Sequence, residues 1–134
     1  MSNRKKKKYC DINACIKPND NFGTMFVSMC KHEAFKKLTL AERDMYMLCR
    51  VQAQDKNGRA CLYNHAQEFG RQYNLEKCFT FPAKHLKEYG KDNSNARKIL
   101  KKLIEKGFLE EIERNKYMQK VNVYAFSDKW KNTM

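Results

Sequence analysis

The run from Phe79 to Phe126 constrains this chain most, because its hydrophobic period passes from that of a strand to that of two helices and back again. Phe79 and Phe81 alternate with Thr80, as in a short half-buried strand. Pro82 then suits the first turn of a helix over 82–89, with Leu86 and Tyr89 turned inward. Gly90 can supply the left-handed residue that stops it, and Asn93 or Ser94 can cap the next helix. At about 100° per residue, Ala96, Ile99, Leu100 and Leu103 of that helix share one broad face, with Ile104 at its edge. Gly107 ends it, Phe108-Leu109 and Ile112 begin a strand, and Val121, Val123 and Tyr124-Ala125-Phe126 form the return strand.

Helix, glycine turn, capped helix and two-stranded ribbon predict an α+β, mostly helical fold, a winged helix-turn-helix with a C-terminal β-hairpin wing. The helix-turn-helix falls at about 82–106 and the wing at about 108–126, with an extra helix before the helix-turn-helix. There, Thr39-Leu40-Ala41-Glu42 has the form of a capping box, and Ala41, Met45, Leu48, Cys49 and Gln52 make the inner stripe of a helix that Asp55-Lys56-Asn57-Gly58 should end. Leu62, Ala66, Phe69 and Tyr73 predict a second amphipathic helix, with His65, Glu68 and Arg71 on its solvated face. Phe26, Val27 and Met29 read as a short extended or early packed segment, and Trp130 as an anchor that folds back onto the core.

Charge narrows the partner. Of 134 residues, 28 are Lys or Arg and 15 Asp or Glu, a formal charge of +13 that favours a polyanion. Arg4, Lys5, Lys6, Lys7 and Lys8 form a charge run, followed by Pro18 and polar residues with no sustained period, so 1–21 reads as a flexible basic arm and 22–134 as the winged-helix domain. On the outward side of the second helix of the pair stand Ser94, Arg97, Lys98, Lys101 and Glu105. In a major groove, Arg97 and Lys98 can reach base edges, with Asn93, Asn95 and Arg97 the main sources of sequence preference; Ser94 is a further DNA-binding candidate, and Lys84, Lys101 and Lys102 suit phosphates. Arg114, Lys116, Tyr117 and Lys120 at the ribbon tip can follow a phosphate backbone or reach into the minor groove. The plainer alternatives are a solvated lysine face and an ordinary hairpin loop. Glu110, Glu111 and Glu113 make the basic surface directional.

Other chemistries find little support. The three histidines form no H-x-H or H-E-x-x-H, and there is no phosphate-binding G-x-x-x-x-G-K-[ST] loop or nucleophile elbow, so no enzyme activity and no cofactor are expected. Six cysteines lack a C-x-x-C pair and read as free thiols; a zinc site from Cys10, Cys15, Cys30 and His32 is the alternative. A mean hydropathy of −0.86 and no long apolar run exclude a transmembrane helix, and a reducing cytoplasm is the expected compartment.

The order Leu38-Thr39-Leu40-Ala41-Glu42, a long connector and then 79–126 resembles winged-helix domains of plasmid and phage replication initiators and of small accessory proteins from bacterial mobile elements, over roughly 26–130. The resemblance implies a non-enzymatic double-stranded-DNA-binding protein acting in replication, conjugative transfer or transcriptional control. A homodimer or a mobile-element protein partner is compatible with it. The competing expectation is a winged-helix protein-interaction module whose basic arm binds nucleic acid nonspecifically.

Overall fold

Thr39 fixes where the first long helix begins. Its hydroxyl accepts from the Glu42 amide at 3.1 Å, and the Glu42 carboxylate accepts from the Thr39 amide at 3.0 Å, completing the capping box. The computed structural model describes residues 24–114 and 122–132. Two short helices precede the box, α1 (Val27–Lys31) and α2 (Glu33–Lys36), and α3 (Leu40–Gln54) and α4 (Lys56–Phe69) follow it. Next come β1 (Cys78–Thr80), α5 (Ala83–Glu88), α6 (Asn93–Glu105), β2 (Leu109–Glu113), β3 (Val123–Phe126) and a 3₁₀ turn, Lys129–Asn132. The result is an α+β, mostly helical fold with one antiparallel sheet of order β1-β3-β2.

Both sheet faces are covered. Cα partners Phe79↔Tyr124 and Leu109↔Phe126 set the register, and the residues of these pairs look into the main core with Met45, Tyr46 and Cys49 of α3 and Ala96, Leu100 and Leu103 of α6. On the other face, Cys78, Val123 and Ala125 meet Leu62 of α4, with Tyr73 at the margin. Phe108 stands at the centre of the main core, edge-on to Phe35 and Tyr46 and stacked on Trp130 with ring centroids 5.9 Å apart. Trp130 thereby closes the chain onto the core, as its position suggests.

Several boundaries differ from the sequence expectation. Of the two readings of Phe26 to Met29, the packed one holds: Val27 starts α1 and Met29 is buried, with only Phe26 in extended geometry. Along α3, Met45, Cys49 and Gln52 are buried, but Ala41 is exposed and Tyr46 takes its place, because the Tyr46 ring packs edge-on against Phe108 and Phe126 and draws the buried face round. Asp55 to Gly58 is not a turn. Only Asp55 leaves helical geometry, with φ −66 and ψ 135, before Lys56 starts α4 well ahead of Leu62. Gly58 is buried inside α4 at its crossing with α3, where a Cβ would lie 2.4 Å from the Gln52 carbonyl oxygen. At the other end, Gly70 adopts φ 62 and stops α4 before Tyr73. Pro82 caps α5 rather than occupying its first turn. Asp92, not Asn93 or Ser94, caps α6, its carboxylate accepting from the Asn95 amide at 3.0 Å. Ile112 is exposed, because a register irregularity between Glu111 and Glu113 re-aims the end of β2.

Candidate nucleic-acid interface

The turn between α5 and α6 is pinned from both sides. Tyr89 lays its ring edge-on against Phe81 at 5.8 Å, Gly90 takes φ 76, and the Lys91 amide donates to the Leu86 carbonyl at 3.0 Å. The Lys91 ammonium pairs with Asp44 of α3. Behind this turn, buried Gln52 donates to the Thr80 carbonyl at 2.9 Å and lies 2.8 Å from His85 Nδ1, which joins α3, β1 and α5. At the far end of α6, the Lys106 ammonium donates to the Glu42 carboxylate at 2.7 Å. Burial pushes the Glu42 carboxyl up, but the Lys106 and Thr39 hydrogen bonds outweigh it and hold the group below its ordinary value.

Seated this way, α6 turns Ala96, Leu100 and Leu103 inward and leaves Ser94, Asn95, Lys98, Lys101, Lys102 and Glu105 exposed on one face. Lys84 is exposed on α5. Glu105 lies 4.0 Å from Lys102, an exposed pair that holds little of the lysine's charge. Between Ala83 and Lys106 there are eight basic residues and three acidic ones. Lys91, Arg97 and Lys106 have partners within the protein, while Lys84, Lys87, Lys98, Lys101 and Lys102 face solvent.

Arg97 requires a correction. Expected on the outward face as a reader of base edges, it folds under α6 with its guanidinium engaged on every side. Nε donates to Asn93 Oδ1 at 3.1 Å, one terminal nitrogen donates to the Tyr124 hydroxyl at 3.2 Å, and the other donates to the Phe81 carbonyl at 2.8 Å. The Phe81 carbonyl, just past the end of β1, supplies the acceptor that draws it inward. Asn93 is exposed, but its carbonyl oxygen is used by Arg97.

At the ribbon, Arg114 is exposed immediately after β2. Lys116, Tyr117 and Lys120 lie outside the described residues, as do Arg4, Lys5, Lys6, Lys7 and Lys8. Glu111 is exposed on β2 and Glu110 partly so.

Glu113 does not simply add negative charge to the surface. Its carboxylate lies 2.7 Å from His65 Nε2, accepts from the Tyr73 hydroxyl at 2.9 Å and pairs with the Arg71 guanidinium. His65, expected on a solvated helix face with Arg71, is therefore buried against β2, and Arg71 lies beyond the end of α4. Burial pushes the Tyr73 hydroxyl above its ordinary value. Helical spacing alone could not find this cluster, because it depends on the irregularity that turns Glu113 toward α4.

Among the described residues, no grouping of three or more His, Cys, Asp or Glu side chains could hold a metal ion, and Cys30, Cys49, Cys61 and Cys78 are free thiols. Cys10 and Cys15 of the alternative zinc set lie outside them. No helix there is long and apolar enough to cross a membrane. No family model, curated protein or solved structure matches the chain.

Proposed function

We propose that the chain is a non-enzymatic double-stranded-DNA-binding protein of winged helix-turn-helix design, with α5 and α6 as the helix pair and β2 and β3 as the base of the wing. One observation carries the reading. The second helix of a tightly pinned pair is embedded along one face and presents Ser94, Asn95, Lys98, Lys101 and Lys102 on the other. The sheet order β1-β3-β2, with β1 ahead of the helix pair and joined to the last strand, supports the same design. A helix of this kind fits the major groove of B-DNA, its N-terminal turn nearest the base edges. Ser94 and Asn95 then meet bases, and the lysines meet phosphates. By its resemblance to mobile-element proteins, the biological setting is replication, conjugative transfer or transcriptional control.

The test is a salt titration of binding to a random duplex and to duplex from the chain's own upstream region. Lys98→Ala and Lys101→Ala should each weaken binding to all duplexes and reduce the salt slope by about 1, whereas Asn95→Ala should chiefly blur sequence preference. Unchanged affinity and slope in both lysine variants would remove α6 from the interface.

A protein-interaction module is the second reading. It is favoured by an apolar groove of about 280 Å³ between α4 and the segment before β1, lined by Leu62, Tyr63, Leu75, Cys78 and Phe79. Tyr63 and Leu75 stand exposed at its rim. On this reading, removal of residues 1–21 takes away nearly all nucleic-acid binding.

A further inference from the structure

We propose that Arg97 and Tyr124 form a strut that fixes the angle between α6 and the wing strands, so that helix and wing meet one duplex as a single rigid unit. This inference rests on the DNA-binding reading and assigns two residues a positioning role within it.

The strut begins in the first turn of α6, where Asn93 orients the Arg97 side chain through Nε. The guanidinium spans the gap to the sheet, with the Phe81 carbonyl at the end of β1 on one side and the Tyr124 hydroxyl of β3 on the other. Tyr124 is 2 % exposed, its ring tilted against Phe79 in the main core, so the hydroxyl is held by a fixed support. Asn122, just ahead of β3, donates to that same hydroxyl at 3.4 Å. A continuous polar path therefore runs from the start of the groove-facing helix to the root of the ribbon.

Placing a guanidinium partly out of water costs desolvation, and a packed apolar side chain could fill the space at less cost. What the guanidinium adds is direction. Its planar fork meets acceptors at set angles, which apolar packing does not impose. Precision matters at this point because α6 is about 20 Å long, so a tilt of about 5° moves its far end by about 2 Å. Binding constellations tolerate only about 0.5 Å.

The strut makes a prediction that a purely stabilising contact does not. Tyr124→Phe removes one buried hydroxyl and no charge, and the ring that packs in the core is retained. If helix and wing must be held together to engage phosphates simultaneously, this neutral change reduces the salt slope of duplex binding by about 1 and weakens binding by about fivefold. Arg97→Lys, which keeps the charge but lacks the fork, should do the same. Arg114→Ala, at the wing root, should then weaken binding clearly in the wild-type background and by less than about twofold in the Tyr124→Phe background, a non-additive cycle.

The measurements use the full chain, with circular dichroism confirming that each variant is folded at the assay temperature. A lowered slope in both charge-conserving variants and a non-additive cycle support the strut. Wild-type duplex binding with an unchanged slope in both variants, or strictly additive effects, overturns the strut while leaving the DNA-binding reading in place. Absence of duplex binding by the wild type overturns both.

Discussion

Gly58→Ala sets two effects of opposite sign against each other at one position. Alanine is the better helix former, by about 1 kcal/mol in a helix interior, so helix propensity alone predicts a more stable protein. Against this, a Cβ at Gly58 would lie 2.4 Å from the Gln52 carbonyl oxygen and 2.9 Å from the Gln52 Cδ and Nε2. The first of these atoms is backbone, so it can retreat only if α3 and α4 separate at the Asp55 corner. The Gln52 side chain would move as well, straining its bond to the Thr80 carbonyl and its contact with His85. Overpacking costs about 2 kcal/mol and a weakened buried hydrogen bond about 1 kcal/mol, which leaves a net loss of about 2 kcal/mol after the propensity gain. For a chain of this size that is a fall in Tm of roughly 6–10 °C. Thermal unfolding followed by circular dichroism measures it, with Gly70→Ala as the comparison: Gly70 adopts φ +62 with nothing within 4 Å, so its cost is only the left-handed strain of about 1 kcal/mol. A Gly58→Ala protein at least as stable as wild type would refute the close crossing.

Two further changes probe the polar interior. The Glu42 carboxyl is held below its ordinary value of 4.5, so it stabilises the fold above that value, and its contribution is lost as pH falls through the folded-state value. Glu42→Gln should therefore be less stable than wild type at neutral pH, with the gap closing in acid; urea midpoints at several pH values decide it, and a gap that widens in acid contradicts the assignment. The Thr80 hydroxyl is fully buried and has no hydrogen-bond partner among the described residues, so Thr80→Val should raise stability by about 1 kcal/mol in urea unfolding, and a clear loss would mean that the hydroxyl is satisfied in solution.

The second half of the chain was the more legible half, for physical reasons. From Phe79 onward, each helix has one buried face and ends at a residue with a strong local preference, Gly90 or Gly107, so local chemistry and tertiary structure agree there. The strand at Phe79, expected to be half-buried, is instead buried on both faces, Thr80 included, because α4 covers the far side of the sheet. At the α3–α4 junction the sequence expectation fails because Asp-Lys-Asn-Gly is turn chemistry in isolation. Tertiary structure uses the glycine for close helix approach instead, and only Asp55 breaks the helix. The pairing of His65 with Glu113 is hidden from the sequence because each looks like a solvated residue on its own element. Only the α4–β2 packing brings them together, and that pairing is nonlocal.

Arg97 shows the limit of helical periodicity as a guide to a binding face. At about 100° per residue it lies at the flank of the outward face, so an acceptor on a neighbouring element can draw it inward. That acceptor is the Phe81 carbonyl, supplied by a different element. The consequence reaches function. With Arg97 turned inward, the outward face of α6 keeps three lysines and, for polar reading, Ser94 and Asn95. Lysines act on phosphates as point charges and discriminate poorly among bases. On the proposed reading, α6 therefore contributes mainly affinity and salt dependence, with sequence preference confined to the one or two base pairs beneath its first turn. Any longer recognition sequence must be read by the wing, by the shape of the duplex or by a second copy of the chain on a paired half-site. These routes separate experimentally. A second copy gives a binding isotherm that steepens on paired sites, whereas wing or shape reading leaves the same isotherm on single and paired sites and moves the preference to base pairs flanking the α6 contact.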